Sequence, residues 1–230
     1  MMPSGGDVGA EAETRLVLVR HGESLATVER VIGGPRTCRG LSDLGHRQSK
    51  RLAVRLAETA EVRVEALYSS AFARARETAA HLEAALGQRC IVEPAVGEHD
   101  PGPDCDGLTY DDFVARYGLP DWESDPDLEV FPGGETVSVF HRRVHAGIDD
   151  LLERHRGQSV MVVCHGGVID AVMRRVLQAP VVGGFQMYTF NTSLTEMHRL
   201  ETDQWRLVRY NDAAHLVGEH PAPSRLEDTR

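Results

Sequence analysis

Three short runs of this chain are apolar almost end to end, and each gives way to a stretch written in helical period. The runs are residues 16–19 (LVLV), 65–69 (EALYS) and 159–164 (SVMVVC). A run of that length without polar alternation suits a strand covered on both faces, which is the usual condition of a parallel sheet. Helical patterns follow at 42–57, 71–86, 136–154 and 168–177. The first opens on capping candidates Ser42 and Asp43 and carries Leu44, Leu52 and Leu56; the second is alanine-rich and stops at Gly87. Strands alternating with helices predict an α/β fold built on a mostly parallel sheet with helices on both faces. In such sheets ligands bind beyond the carboxyl ends of the strands. Two further strands are expected at 193–200 and 205–210, joined by a turn around Asp203, with one of them antiparallel at an edge. Residues 97–107 (GEHDPGPDCDG) read as a long loop over the strand ends. Neither a repeat nor a linker interrupts the pattern, so 15–215 is expected to be a single domain, with a loose leader at 1–14 and a loose acidic tail at 216–230.

The composition excludes several classes of function. A chain of 230 residues buries roughly 70% of its unfolded surface without cross-links. No apolar stretch approaches the roughly 18 residues of a membrane span, and the small, acidic leader lacks the features of a secretory signal. The expected location is cytoplasmic, with Cys38, Cys90, Cys105 and Cys164, which show no CxxC spacing, as free thiols. A net charge of −10 argues against general affinity for nucleic acid. Any phosphate must therefore be held locally, by individual arginines.

Arg20 and His21 stand where the first strand should end, and His165 stands at the end of the 159–164 run. Gly166 and Gly167 then open a helix whose free N–H groups favour an anion. Either histidine alone would serve as an ordinary strand terminus. Two of them, each followed by a glycine that permits close approach, suggest one shared site. Arg74 and Arg76 follow the 65–69 run, and one of them can turn toward the same rim; the alternative for both is a solvated helix charge.

These residues form a pattern. LVLVRHGES, LYSSAFARARETA, a glutamate on a loop soon after, GGET before a long helix and VVCHGG occur here in the order typical of the histidine phosphatase superfamily, the phosphoglycerate mutase-like proteins, which the chain resembles over about residues 15–210. The resemblance implies a three-layer α/β/α sandwich and a phosphohistidine mechanism. It assigns His21 as nucleophile, Arg20, Arg74, His165 and Gly166 to the phosphate pocket, and Glu98 as proton donor, with Asp100, Asp104 and Asp106 competing for that last role. It implies neither metal nor cofactor. Imidazole attacks phosphorus only when unprotonated, and neighbouring arginines oppose its protonation while their planar forks bind phosphate oxygens.

Two departures from the family pattern stand out. Mutases of the superfamily carry Trp-Asn where this chain has Ala26 and Thr27, and the GPDCDG stretch replaces the usual aromatic-Glu-Gly of the loop after the acid. Thr27 is thus a candidate hydroxyl for the phosphate. Glu23, Gly33, Arg36, Arg39 and Asn191 are candidates for contact with the rest of the substrate, and Thr192 for the pocket border. His141 and His145 sit four apart on a predicted helix, but no third ligand is in sight, so they read as a surface pair. Cys164 should face the core, and Trp122 and Trp205 suggest no cofactor. The expected activity is metal-independent hydrolysis of a small phosphorylated metabolite. The alternatives are a cofactor-dependent phosphoglycerate mutase and a non-catalytic phosphate-binding module. No nucleic acid or membrane partner is expected, and a homodimer is compatible with the chain.

Overall fold

Apolar residues on both sides of each inner strand decide the layering. The computed structural model describes residues 13–217 and comprises, in chain order, β1 (Thr14–Arg20), α1 (Leu25–Val28), α2 (Asp43–Thr59), β2 (Ala66–Ser69), α3 (Ala73–Leu86), β3 (Cys90–Val92), α4 (Tyr110–Tyr117), α5 (Val137–Arg154), β4 (Ser159–Cys164), α6 (Gly166–Val176), β5 (Leu194–Arg199) and β6 (Trp205–Asp212). The sheet order is β3-β2-β4-β1-β5-β6. β1, β2, β3 and β4 run parallel, β5 runs against β1, and β6 runs against β5. The antiparallel strand is therefore β5, one place in from the edge rather than at it. β3 lies at the opposite edge; it has only three residues, with Ile91 and Val92 exposed.

Alternate residues of the inner strands feed two cores. On one face Leu16, Leu18, Val160 and Val162 meet Phe140, Val144, Ile148 and Leu151 of α5 and Val168, Ile169 and Val172 of α6. On the other, Val17, Val19, Leu67, Met161 and Val163 meet Leu52 and Leu56 of α2 and Ala75, Ala79 and Leu82 of α3. Burying each such Leu, Ile or Val contributes about 1.5–3 kcal/mol before chain entropy is counted. Cys164 lies in the first core, and burial pushes its thiol pKa up. All four cysteines are free.

The helix starts are set by local chemistry. Ser42 and Thr136 cap α2 and α5 by accepting from the Gly45 and Val139 N–H groups, and α3 ends where Gly87 adopts φ +64°. Two boundaries differ from expectation. Thr14 already belongs to β1, and the Glu13 carboxylate accepts hydrogen bonds from His198 and Arg206, so the fold begins before residue 15. At the other end Leu216 is buried. The rest of the expected leader and tail, 1–12 and 218–230, lies outside the described residues.

His141 and His145 are not a surface pair. α5 turns His141 into the protein, where it is 5% exposed, and the His145 ring meets the Ala171 carbonyl of α6 at 2.9 Å.

Candidate active site

The strand register sets the two histidines side by side. Arg20 is paired with Cys164, so the residues that follow, His21 and His165, leave adjacent strands together, their ring centroids 5.0 Å apart. The His21 N–H donates to the Cys164 carbonyl at 2.9 Å, and Ser70, just beyond β2, donates its N–H to Val163. Three strand ends thus converge on one rim.

His21 is buried, and its hydrogen bonds assign the tautomer. Nδ1–H donates to the Gly22 carbonyl at 2.6 Å, and Nε2 accepts from Arg74 Nε at 3.1 Å. The lone pair is therefore on Nε2, facing the arginine. Burial first, then Arg74 and Arg20, hold its pKa well below 6.5, so the ring is neutral at physiological pH. His165 is held neutral in the same way, by burial first and then by Arg74, His21 and Arg20; its Nε2 meets Ser70 Oγ at 2.7 Å.

Arg74 lies in the first turn of α3 and points inward, whereas Arg76 is exposed. Its guanidinium lies 4.6 Å from the centroid of Phe72, whose ring edge also meets His165, and Nη1 donates to the Gly33 carbonyl at 2.9 Å. Arg20 donates to the Thr189 carbonyl, and its Nε sits near the start of α6. Arg20 Nε and His165 Nδ1 are buried and have no hydrogen-bond partner among the described residues. Such unpartnered polar groups are costly to bury, and the Arg20 N–H suits an anion at the α6 N-terminus.

Among the four acidic candidates only Glu98 reaches this rim. Its Oε2 accepts from the Gly167 N–H at 3.2 Å, and Gly167 is spoken for: a Cβ there would run into the Glu98 carboxylate. Asp100 pairs with Arg36 at 2.8 Å, Asp104 is exposed, and Asp106 binds the loop at 34–37. Gly22 likewise serves packing rather than ligand approach, because a Cβ would lie 2.6 Å from the Gly45 carbonyl of α2.

The candidate substrate contacts are differently employed. The Glu23 carboxylate accepts from Ser42, the Thr27 hydroxyl lies 3.0 Å from Ser24 Oγ in α1, and Arg39 pairs with Glu29. Asn191 donates from Nδ2 to the His21 carbonyl at 2.9 Å, and Thr192 donates its N–H to the Arg20 carbonyl, so both hold the backbone of the histidine loop. Gly33 instead receives an arginine side chain, its carbonyl accepting from Arg74 Nη1. Sequence reasoning missed Ser70 and Phe72, although both lie in the SSAFAR stretch. It also missed His99, buried among the rings of Trp122, Phe131 and Phe140 beside Glu98. Among the described residues no group of three or more His, Cys, Asp or Glu side chains is arranged to hold a metal, and no helix is long and apolar enough to cross a membrane.

A mixed sheet between two helix layers, with two neutral histidines and two arginines at its carboxyl rim, defines a class: α/β proteins with a cationic, histidine-centred rim. The chain belongs to the histidine phosphatase superfamily (branch 1), which it matches over residues 16–213. It is 31% identical over 217 residues to a metal-independent phosphoserine phosphatase of Arabidopsis thaliana, an alignment covering 91% of this chain and 87% of the relative. It is 32% identical over 196 residues to a 2,3-bisphosphoglycerate-dependent phosphoglycerate mutase of Brucella anthropi, covering 82% and 93%. A mycobacterial glucosyl-3-phosphoglycerate phosphatase superposes with a TM-score of 0.72 at 27% identity, covering 86% of this chain and 99% of that one.

Proposed function

We propose that this protein is a phosphomonoesterase that hydrolyses a small phosphorylated metabolite through a phosphohistidine on His21. The observation that carries the reading is the neutral His21 ring with its Nε2 lone pair turned toward Arg74, between two arginines. Nε2 attacks phosphorus while the P–O bond to the leaving alcohol breaks, and Glu98 delivers the proton that the alkoxide needs. Water then attacks the phosphohistidine, gives a proton to the Glu98 carboxylate and releases phosphate as the P–N bond breaks. Arg20, Arg74, His165 and the α6 N-terminus bind the equatorial oxygens, where charge is spread, so the work is positioning and electrostatic clamping. Phosphatases among the relatives support hydrolysis. The mutase relative keeps one competing reading open, return of the phosphoryl group to bound substrate.

The test is phosphate release from a panel containing 3-phosphoglycerate, glycerol 3-phosphate and an aryl phosphate, in chelator, by wild type and His21→Ala. Wild-type release that falls by about 10³-fold or more in the variant is expected. Isomerisation of 3-phosphoglycerate in the presence of a bisphosphate primer, without release, would make the protein a mutase. Loss of activity in chelator that added metal restores would refute the mechanism. A cytoplasmic location, supported by the free thiols, and a homodimer, supported by the exposed Leu207 and Val208 of edge strand β6, belong to the same proposal. Cell fractionation and light scattering test them.

A further inference from the structure

Asp106 lies far from His21 in sequence and outside the set that handles phosphate, yet its carboxylate is fully buried and gathers donors from a single short loop. It accepts from the Gly34 N–H at 2.9 Å, the Arg36 N–H at 2.8 Å, the Thr37 hydroxyl and, at 3.4 Å, the Arg36 guanidinium. Beside this knot the backbones also join, Gly107 N–H to the Ile32 carbonyl and Ile32 N–H to the Leu108 carbonyl, both at 2.8 Å. The residue next to the knot is Gly33, whose carbonyl receives Arg74 Nη1, and Arg74 Nε in turn holds His21 Nε2.

We infer that Asp106 is the positioning residue of the phosphate clamp: by fixing the loop at 34–37 it fixes the Gly33 carbonyl, and through it the guanidinium of Arg74 against His21. The inference rests on the hydrolytic reading given above. Among the described residues Arg74 has no carboxylate partner in its hydrogen bonds; what orients its fork is one backbone carbonyl, a contact to Cys38 Sγ at 3.4 Å, and the Phe72 ring beneath it. A carbonyl can orient an arginine only if the carbonyl is itself immobile, and a buried carboxylate accepting several donors supplies that immobility. The arrangement leaves Arg74 uncompensated by negative charge, so that its full charge is available to phosphate and to keeping His21 neutral. The groups facing His21 are Arg74, Arg20, the His165 ring and the Gly22 carbonyl, so displacing Arg74 removes one of two cations that oppose its protonation.

The test compares wild type, Asp106→Asn and Gly34→Ala on an aryl phosphate, with vanadate as inhibitor, over a range of pH. Asn keeps the shape but places an amide N–H₂ among donors. The second variant breaks the same knot from the other side, since a Cβ on Gly34 would lie 2.6 Å from the Asp106 carboxylate and 2.8 Å from Pro101, and it leaves Asp106 itself unchanged. Both are expected to lose about 10- to 100-fold in kcat/KM, the scale of a small misplacement of a catalytic group. Vanadate inhibition should weaken in parallel, and the acid limb of the pH profile should move upward. Arg63→Ala, at an exposed arginine paired with Glu65 and outside the knot, should change kcat/KM by less than about 3-fold. If either folded variant keeps wild-type kcat/KM, or loses activity with vanadate affinity and the acid limb unmoved, the inference is overturned. Wild-type turnover that does not depend on His21 would instead overturn the hydrolytic reading on which it rests.

Discussion

A histidine that attacks phosphorus must be neutral, and a phosphate pocket must be cationic; in the role proposed for His21 the second condition helps to enforce the first. Burial removes solvation from the imidazolium, and Arg74 and Arg20 repel it. The sign follows directly. The reactive form is the neutral one and its pKa lies well below 6.5, so kcat/KM should stay flat as pH falls through 6.5 and decline only below it. A decline centred at 6.5 or above would mean that another group controls the acid limb. Glu98→Gln should slow an alkyl phosphate by about 10²- to 10⁴-fold and an aryl phosphate much less, because a phenolate leaves without being protonated. Equal losses would move the acid role to another residue. Much of this residue set is legible in the sequence because strand ends mark the rim. The choice of Arg74 over Arg76 comes from the family resemblance alone, because the local pattern does not show which face α3 turns inward, and the fate of Arg36 depends on carboxylates at 100 and 106 that sequence separation hides.

Between elements, α2 packs tightly against the histidine loop. A Cβ on Gly45 would collide with the Glu23 carbonyl, and one on Gly22 would crowd Gly45. Gly45→Ala should therefore push α2 off the loop, costing about 1–3 kcal/mol of stability in urea melts and lowering turnover with it. A fully stable, fully active variant would show that the loop tolerates the shift. Elements with long apolar runs or clear caps, such as β1, β4, α2 and α5, declare themselves in sequence. β3 does not: it is an edge strand of three residues with two of them exposed, so neither period nor hydrophobicity marks it. Which of the last two strands runs antiparallel is likewise hidden, because an antiparallel strand covered on both faces reads like a parallel one.

At the scale of the whole molecule, buried neutral histidines tie stability to pH. Burial, then His145 and Arg174, lowers the His141 pKa from 6.5 to about 4. In the unfolded chain this group takes up a proton near pH 6.5, whereas the folded protein resists until about 4. The stability it contributes is thus complete above 6.5 and is lost as pH falls from there toward 4. His21 and His165 act in the same direction. Urea midpoints at pH 7 and pH 5 should differ more for wild type than for His141→Gln; equal differences would remove His141 from the account. The topology carries a consequence of another kind. β1 comes first in the fold but sits inside the sheet, with Arg15 beside Ser159 on one flank and Thr14 beside Arg199 on the other. At synthesis rates of about 5–20 residues per second, roughly ten to thirty seconds separate the emergence of β1 from the ribosome from that of its neighbours. During that interval an apolar strand and its histidine lack their sheet neighbours, a natural point for chaperone capture, and the site can assemble only once the chain has been made through β5.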